Sequence, residues 1–215
     1  MKKLIRTLLI FFVVGAIGYA FGNRETTADK MAALSGTWLM IEQDTTEQAD
    51  VLLKNIDLYE AELALADNTS LQYAWIFEFD TEGNFRQAND IEVTKQLVRE
   101  FYEGVFDNLY EGRDTLQDLY EVDFTSMTKA EMQQFYAELY GYDTYEALME
   151  RFVTVAYKYD EWTDFRNGTY TIKGDKLDIV DIAEGYETYL IAYQLNGNTL
   201  TLTYSNGTEV YTRAK

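Results

Sequence analysis

The sequence predicts an α+β protein: an antiparallel β meander interrupted by inserted helices. Two observations predict it. From Arg166 to Arg213 short stretches alternate apolar and polar residues, and each break holds Gly or Asn, the residues that supply the positive φ of tight hairpin turns. Upstream, in two blocks, apolar residues recur instead at threes and fours, the period of an amphipathic helix.

Composition narrows the chemistry. The 215 residues include 37 acidic and 18 basic side chains, a formal net charge of −19. That balance argues against nucleic-acid phosphates or anionic lipid heads as partners, because both require a basic surface. Histidine and cysteine are absent. Disulfides, thiol nucleophiles, His-based triads and His or Cys metal ligands are therefore excluded. Proline is absent too, so Gly, Asn, Asp and Thr must make the turns and helix ends. The 18 tyrosines suit half-buried strands with one wet end.

At the N-terminus Lys2, Lys3 and Arg6 precede an uncharged apolar run over 7–22, with Gly18-Tyr19-Ala20 offering small residues at a cleavage site. This is the pattern of a secretory signal peptide over 1–20. The run is shorter than the ~20 residues of a usual spanning helix. An uncleaved membrane anchor is the alternative, and either implies export. No cysteine follows, which excludes a lipoprotein anchor. Residues 21–34 read as a flexible tether, and 35–215 as one domain. Ser35 to Glu42 is the first strand. Ala49, Leu52, Leu53, Ile56, Tyr59 and Leu63 mark a helix over 45–66. Gln72 to Asp80 returns to a strand, with Trp75, Phe77 and Phe79 on one face. Thr81-Glu82-Gly83-Asn84 turns into a return strand from Phe85.

A second helical insertion spans 89–159. Asn89 with Glu92, Thr128 with Glu131 and Asp143 with Glu146 each fit an N-cap and its reciprocating acid. Gly112-Arg113-Asp114 breaks the first helix, and Leu116, Leu119 and Tyr120 suggest a short second one. Then Arg166-Asn167-Gly168 opens Thr169 to Ile172, and further strands run over Lys176 to Ile182, Glu187 to Leu195, Thr199 to Tyr204 and Thr208 to Arg213. Leu200, Leu202 and Tyr204 share one face, as do Tyr189, Ile191, Tyr193 and Leu195.

Gly36-Thr37-Trp38 resembles the Gly-x-Trp of lipocalins. Phe79-Asp80-x-x-Gly83-Asn84-Phe85, Gly168-x-Tyr170-x-Ile172-x-Gly174-Asp175-Lys176-Leu177 and Leu195-x-Gly197-Asn198-Thr199-Leu200-Thr201-Leu202 are similar to hairpins of small bacterial lipocalin-like (calycin-type) domains. Tyr211-Thr212-Arg213 fits their closing strand. The likeness covers 35–43, 72–88 and 165–213, and the helical insertions depart from the family's plain barrel. It implies an antiparallel up-and-down β-barrel of about eight strands carrying an inserted α-helical cap. Such an interior can hold a small apolar ligand. It also implies that Arg213 closes over Trp38, a structural cation–π contact of about 0.5–2 kcal/mol.

The inward aromatic residues either fill the barrel or, near its mouth, wall a pocket with apolar faces and polar tips. The ligand-binding candidates are Trp75, Phe77, Phe79, Tyr189, Tyr193 and Tyr204. No catalytic residue, cofactor or metal is expected. Asp160, Glu161 and Asp164 cluster near Asn167, yet their spacing matches no EF-hand loop. Asn-x-Ser/Thr occurs at Asn68, Asn167 and Asn206; the last two fall in expected turns, which explain them better than glycosylation. Three functions remain: an exported, non-enzymatic binder of a small apolar or aromatic molecule under the helical cap; a cell-envelope module whose cap contacts another protein; and a hydrolase with two facing carboxylates.

Overall fold

The computed structural model describes residues 25–43, 48–66, 69–156, 166–183 and 185–214. The signal or anchor segment, Asn68 and the Asp160–Asp164 acidic cluster lie outside these residues. Eight strands form a closed antiparallel barrel in sequential order. They are β1 (Gly36–Gln43), β2 (Gln72–Phe79), β3 (Asn84–Asn89), β4 (Arg166–Lys173), β5 (Lys176–Asp181), β6 (Glu187–Asn196), β7 (Thr199–Thr203) and β8 (Thr208–Arg213). Among the described residues there are seven α-helices: α1 (Thr27–Leu34), α2 (Gln48–Lys54), α3 (Glu60–Ala66), α4 (Ile91–Glu111), α5 (Gln117–Tyr120), α6 (Lys129–Leu139) and α7 (Tyr145–Ala156). The up-and-down α+β barrel predicted above is thus the fold.

Alternation builds the barrel's base. Trp38, Phe77, Phe79, Phe85, Tyr170, Ile172, Leu177, Ile179, Ile191, Leu200, Leu202 and Tyr211 point inward and form one buried cluster with Leu34. Leu34 belongs to α1, so the expectation of a tether over 21–34 is corrected where the chain is described. Thr26 and Asp29 make a reciprocal capping box that starts α1. Its far end is capped by the barrel: Trp38 Nε1 donates to Leu34 O at 2.7 Å, and Arg213 donates to Ser35 O at 2.8 Å and to Ala33 O at 2.5 Å. Those carbonyls have no partner within the helix. The Arg213 guanidinium also lies 4.2 Å from the Trp38 ring centre. Gly36 permits this approach. It has φ +123°, and a Cβ there would stand 2.8 Å from an Arg213 nitrogen.

The helices make a second core. Leu52, Leu53, Ile56, Val98, Phe101, Tyr102, Val105, Leu109, Met132, Tyr136, Met149 and Phe152 cluster with Leu71 and Tyr73. Tyr73 shares its β2 face with Phe77 and Phe79 but lies nearer the mouth, so the helical body rests on the mouth end of β2. Three local expectations are revised. The helix over 45–66 is two short ones, separated by a turn in which Asp57 takes φ +48°. Asp90, not Asn89, caps α4 through Val93 N, while Asn89 Nδ2 donates to Ala74 O. At α7 the Thr144 hydroxyl, not Asp143, accepts from Ala147 N. The Thr128–Glu131 box on α6 forms as expected.

Arg166-Asn167-Gly168 is also not a turn. All three residues lie in β4, where Asn167 O accepts from Ile182 N. Glycine serves close approach there: a Cβ on Gly168 would sit 1.9 Å from Val180 O.

Candidate functional site: a cleft beside β6

Two breaks in the ladder shape the mouth. β6 pairs with β5 from Ala192 up to Glu187, but its pairing with β7 ends at Ala192–Thr203. β8 joins β1 through only two register positions, Trp38–Arg213 and Leu39–Thr212, although β1 continues along β2 to Gln43. The β7–β8 hairpin is therefore tied to both neighbours only near the base, and its tip splays away from the wall.

The splay beside β6 opens a cleft of about 570 Å³, lined by Arg166, Thr188–Ile191 and Tyr204–Asn206. This volume is within the range of small-molecule sites, roughly 300–1,000 Å³. Among the described residues, none from the helical insertions lines it. β6 stands four strands from β2 in the eight-strand ring, so the cleft lies across the barrel from the helical body.

Arg166 forms the floor. Its Nε donates to Asp181 Oδ2 at 2.6 Å, and its guanidinium lies 4.7 Å from the Tyr189 ring centre. Burial pulls the Arg166 pKa down, but the hydrogen bond and charge of Asp181 outweigh it and leave the pKa above the usual value. Asp181 is fully buried and also accepts from Ala183 N at 3.0 Å. The guanidinium is thus fixed from behind and stacked from one side. Its two terminal nitrogens have no protein partner among the described residues.

A polar layer continues across the interior. Gln87 Nε2 donates to the Tyr211 hydroxyl at 3.2 Å, which donates to Glu209 Oε2 at 2.8 Å. Burial and the nearby Glu209 charge raise the pKa of Tyr204 well above its ordinary value. Among the described residues its hydroxyl nevertheless has no well-aligned partner, and neither does Gln87 Oε1; both atoms are buried. Such atoms are costly unless something satisfies them.

The candidate residues are distributed unevenly. Tyr189 and Tyr204 line the cleft. Phe77 and Phe79 are buried in the packed base, their rings 4.4 Å apart centre to centre, and are not cleft residues. Tyr193 packs against that base below the cleft. Trp75 turns toward the other break in the wall, where Nε1 donates to Glu42 at 3.1 Å. Arg166 and Asp181 were missed because Arg166 was read as part of a turn. One signal was available: both continue the inward parity of their strands, a charged pair at positions where the barrel buries side chains.

A second buried polar centre lies in the helical body. Glu62, 1 % exposed, accepts from the hydroxyls of Tyr136 at 2.6 Å and Tyr120 at 2.7 Å, and from Tyr59 N at 2.8 Å. This ties α3 to α5 and α6. Among the described residues no group of acids is placed to hold a metal, and no helix is long and apolar enough to cross a membrane.

The geometry defines the class as a closed eight-stranded up-and-down barrel with a helical body on one rim and a cleft in the opposite wall. Comparison with family models, curated proteins and solved structures returned no match for the chain.

Proposed function

We propose that the protein is an exported, non-enzymatic, lipocalin-like binder of a small molecule, and that the cleft is its site. The supporting observation is the floor: a buried guanidinium held by Asp181 and Tyr189, with its terminal nitrogens left over. The ligand presents a hydrogen-bond acceptor to Arg166 and an aromatic or apolar body to Tyr189, Ile191 and Tyr204. Gln87 and Tyr204 supply further polar contacts from the layer beneath. The non-enzymatic reading rests on what a hydrolase would need. Three acids near the cleft have structural partners: Asp181 holds Arg166, Glu187 accepts from Tyr189, and Glu209 accepts from Tyr211. Export rests on the basic and apolar pattern of the first 22 residues.

Native mass spectrometry of protein purified from its own host tests this. The expected result is a retained small-molecule mass that is lost in Tyr189→Ala and Tyr204→Ala variants. Host-purified protein without added mass, or with a mass unaffected by both substitutions, contradicts the reading.

A further inference from the structure

We propose that the cleft-side edge of β6 accepts an extended, basic peptide segment of a partner protein as an added strand. The inference rests on the break between β6 and β7, and it stands whether or not a small molecule occupies the floor.

Ladder parity shows which backbone groups are free. Tyr193 N donates to Asp175 O, so odd-numbered residues of β6 turn their N–H and C=O toward β5 and even-numbered ones toward β7. Tyr204 N donating to Gly207 O gives the matching parity on the other side: even residues of β7 serve β8 and odd ones serve β6. The β6–β7 ladder therefore runs through residues 196, 194 and 192 and then stops. The next residues in that series are Leu190 and Thr188. Among the described residues, both backbone groups of each face the cleft without a ladder partner. Glu187 to Ile191 spans roughly 15 Å of strand.

The edge also lacks the features that usually prevent pairing. β6 reads ETYLIAYQLN, with no Lys, Arg or Pro and no interruption in its register with β5. Exposed apolar side chains accompany it: Leu190 within the edge is 57 % exposed, and Tyr186 just before it 72 %. Tyr186 is held at φ +69°. Exposed apolar groups beside a free edge suit strand addition, in which backbone bonds hold the peptide and alternate side chains select it. Charge gives the peptide its sign. Exposed Glu187 opens the β6 edge, the buried Asp181 is already paired with Arg166, and the whole chain carries −19.

The probe is the capped pentapeptide acetyl-Lys-Val-Lys-Val-Lys-amide, titrated into isotope-labelled protein while amide hydrogen exchange is read residue by residue. The expected result is at least tenfold slower exchange at Thr188 and Leu190. The same peptide N-methylated at both valines should lose at least tenfold in affinity, since it keeps the side chains and charge but not the two valine donors. Leu190→Pro should weaken the unmodified peptide similarly; its near-ultraviolet circular dichroism shows whether the fold is kept, since the lost N–H lies outside the β5–β6 ladder. The proposal is overturned if millimolar peptide leaves both amides unprotected, or if the N-methylated peptide binds as well as its parent.

Discussion

Tyr204 carries a buried hydroxyl beside Glu209 with no aligned acceptor. Replacing it by Phe removes a polar atom that folding desolvates without compensation. Tyr204→Phe is therefore expected to leave stability unchanged or raise it by up to about 1 kcal/mol in urea denaturation; a loss larger than that would mean the hydroxyl is bonded in solution. Glu62 is the opposite case. Its side chain receives two phenols and a backbone N–H inside the helical core. Glu62→Ala leaves those donors without an acceptor, at a cost of roughly 2–5 kcal/mol. Glu62→Gln should recover part of that cost, because an amide oxygen still accepts. Equal stability of wild type and Glu62→Ala would show that the tyrosines find other partners.

At the scale of elements, local chemistry was legible and tertiary roles were not. The hairpin turns after Asp80, Lys173 and Asn196 could be read because Gly with a polar neighbour has few other uses between alternating segments. The Thr128–Glu131 box was legible because both halves are local in sequence. At Asn89 the same rule failed by one residue: two adjacent Asx side chains competed for the cap, and the Ala74 carbonyl on β2 drew Asn89 away. The stretch before Gly36 looked like a tether because its apolar residues are few; Met31 and Leu34 form a usable face only against the barrel base. Gly168 misled in the same way, signalling a turn when its role is to let β4 approach β5. Gly168→Ala would drive a Cβ into Val180 O. It should cost about 1–3 kcal/mol as the strands separate, together with faster amide exchange across β4 and β5. Unchanged exchange in those strands would refute the close-approach role.

For the whole molecule, pH acts through its tyrosines. Burial, with Glu62 or Glu209 nearby, raises the pKa of Tyr136, Tyr204 and Tyr211 well above the ordinary value, and burial pushes Tyr170 up to about 12. A pKa raised by folding favours the protonated phenol in the native state. This contribution is complete below the unfolded value of about 10 and is lost as pH rises above it. In alkaline titration the absorbance of these buried tyrosines should therefore rise in one cooperative step together with unfolding. Gradual ionisation of all tyrosines near pH 10 with the fold intact would contradict the burial described. On the acid side, hydrogen bonds from Asn84 and Thr128 lower the pKa of Asp80 and Glu131. Their contribution is present above about pH 4 and falls away below it.

The role of the cleft depends on where a ligand goes. Crystals soaked with phenol and with indole, and refined for electron density across the entire molecule, test this directly. The expected result is a ring against Tyr189 and Arg166, between β6 and the tip of the β7–β8 hairpin. A cleft without density, or rings found only among the helices, would contradict it.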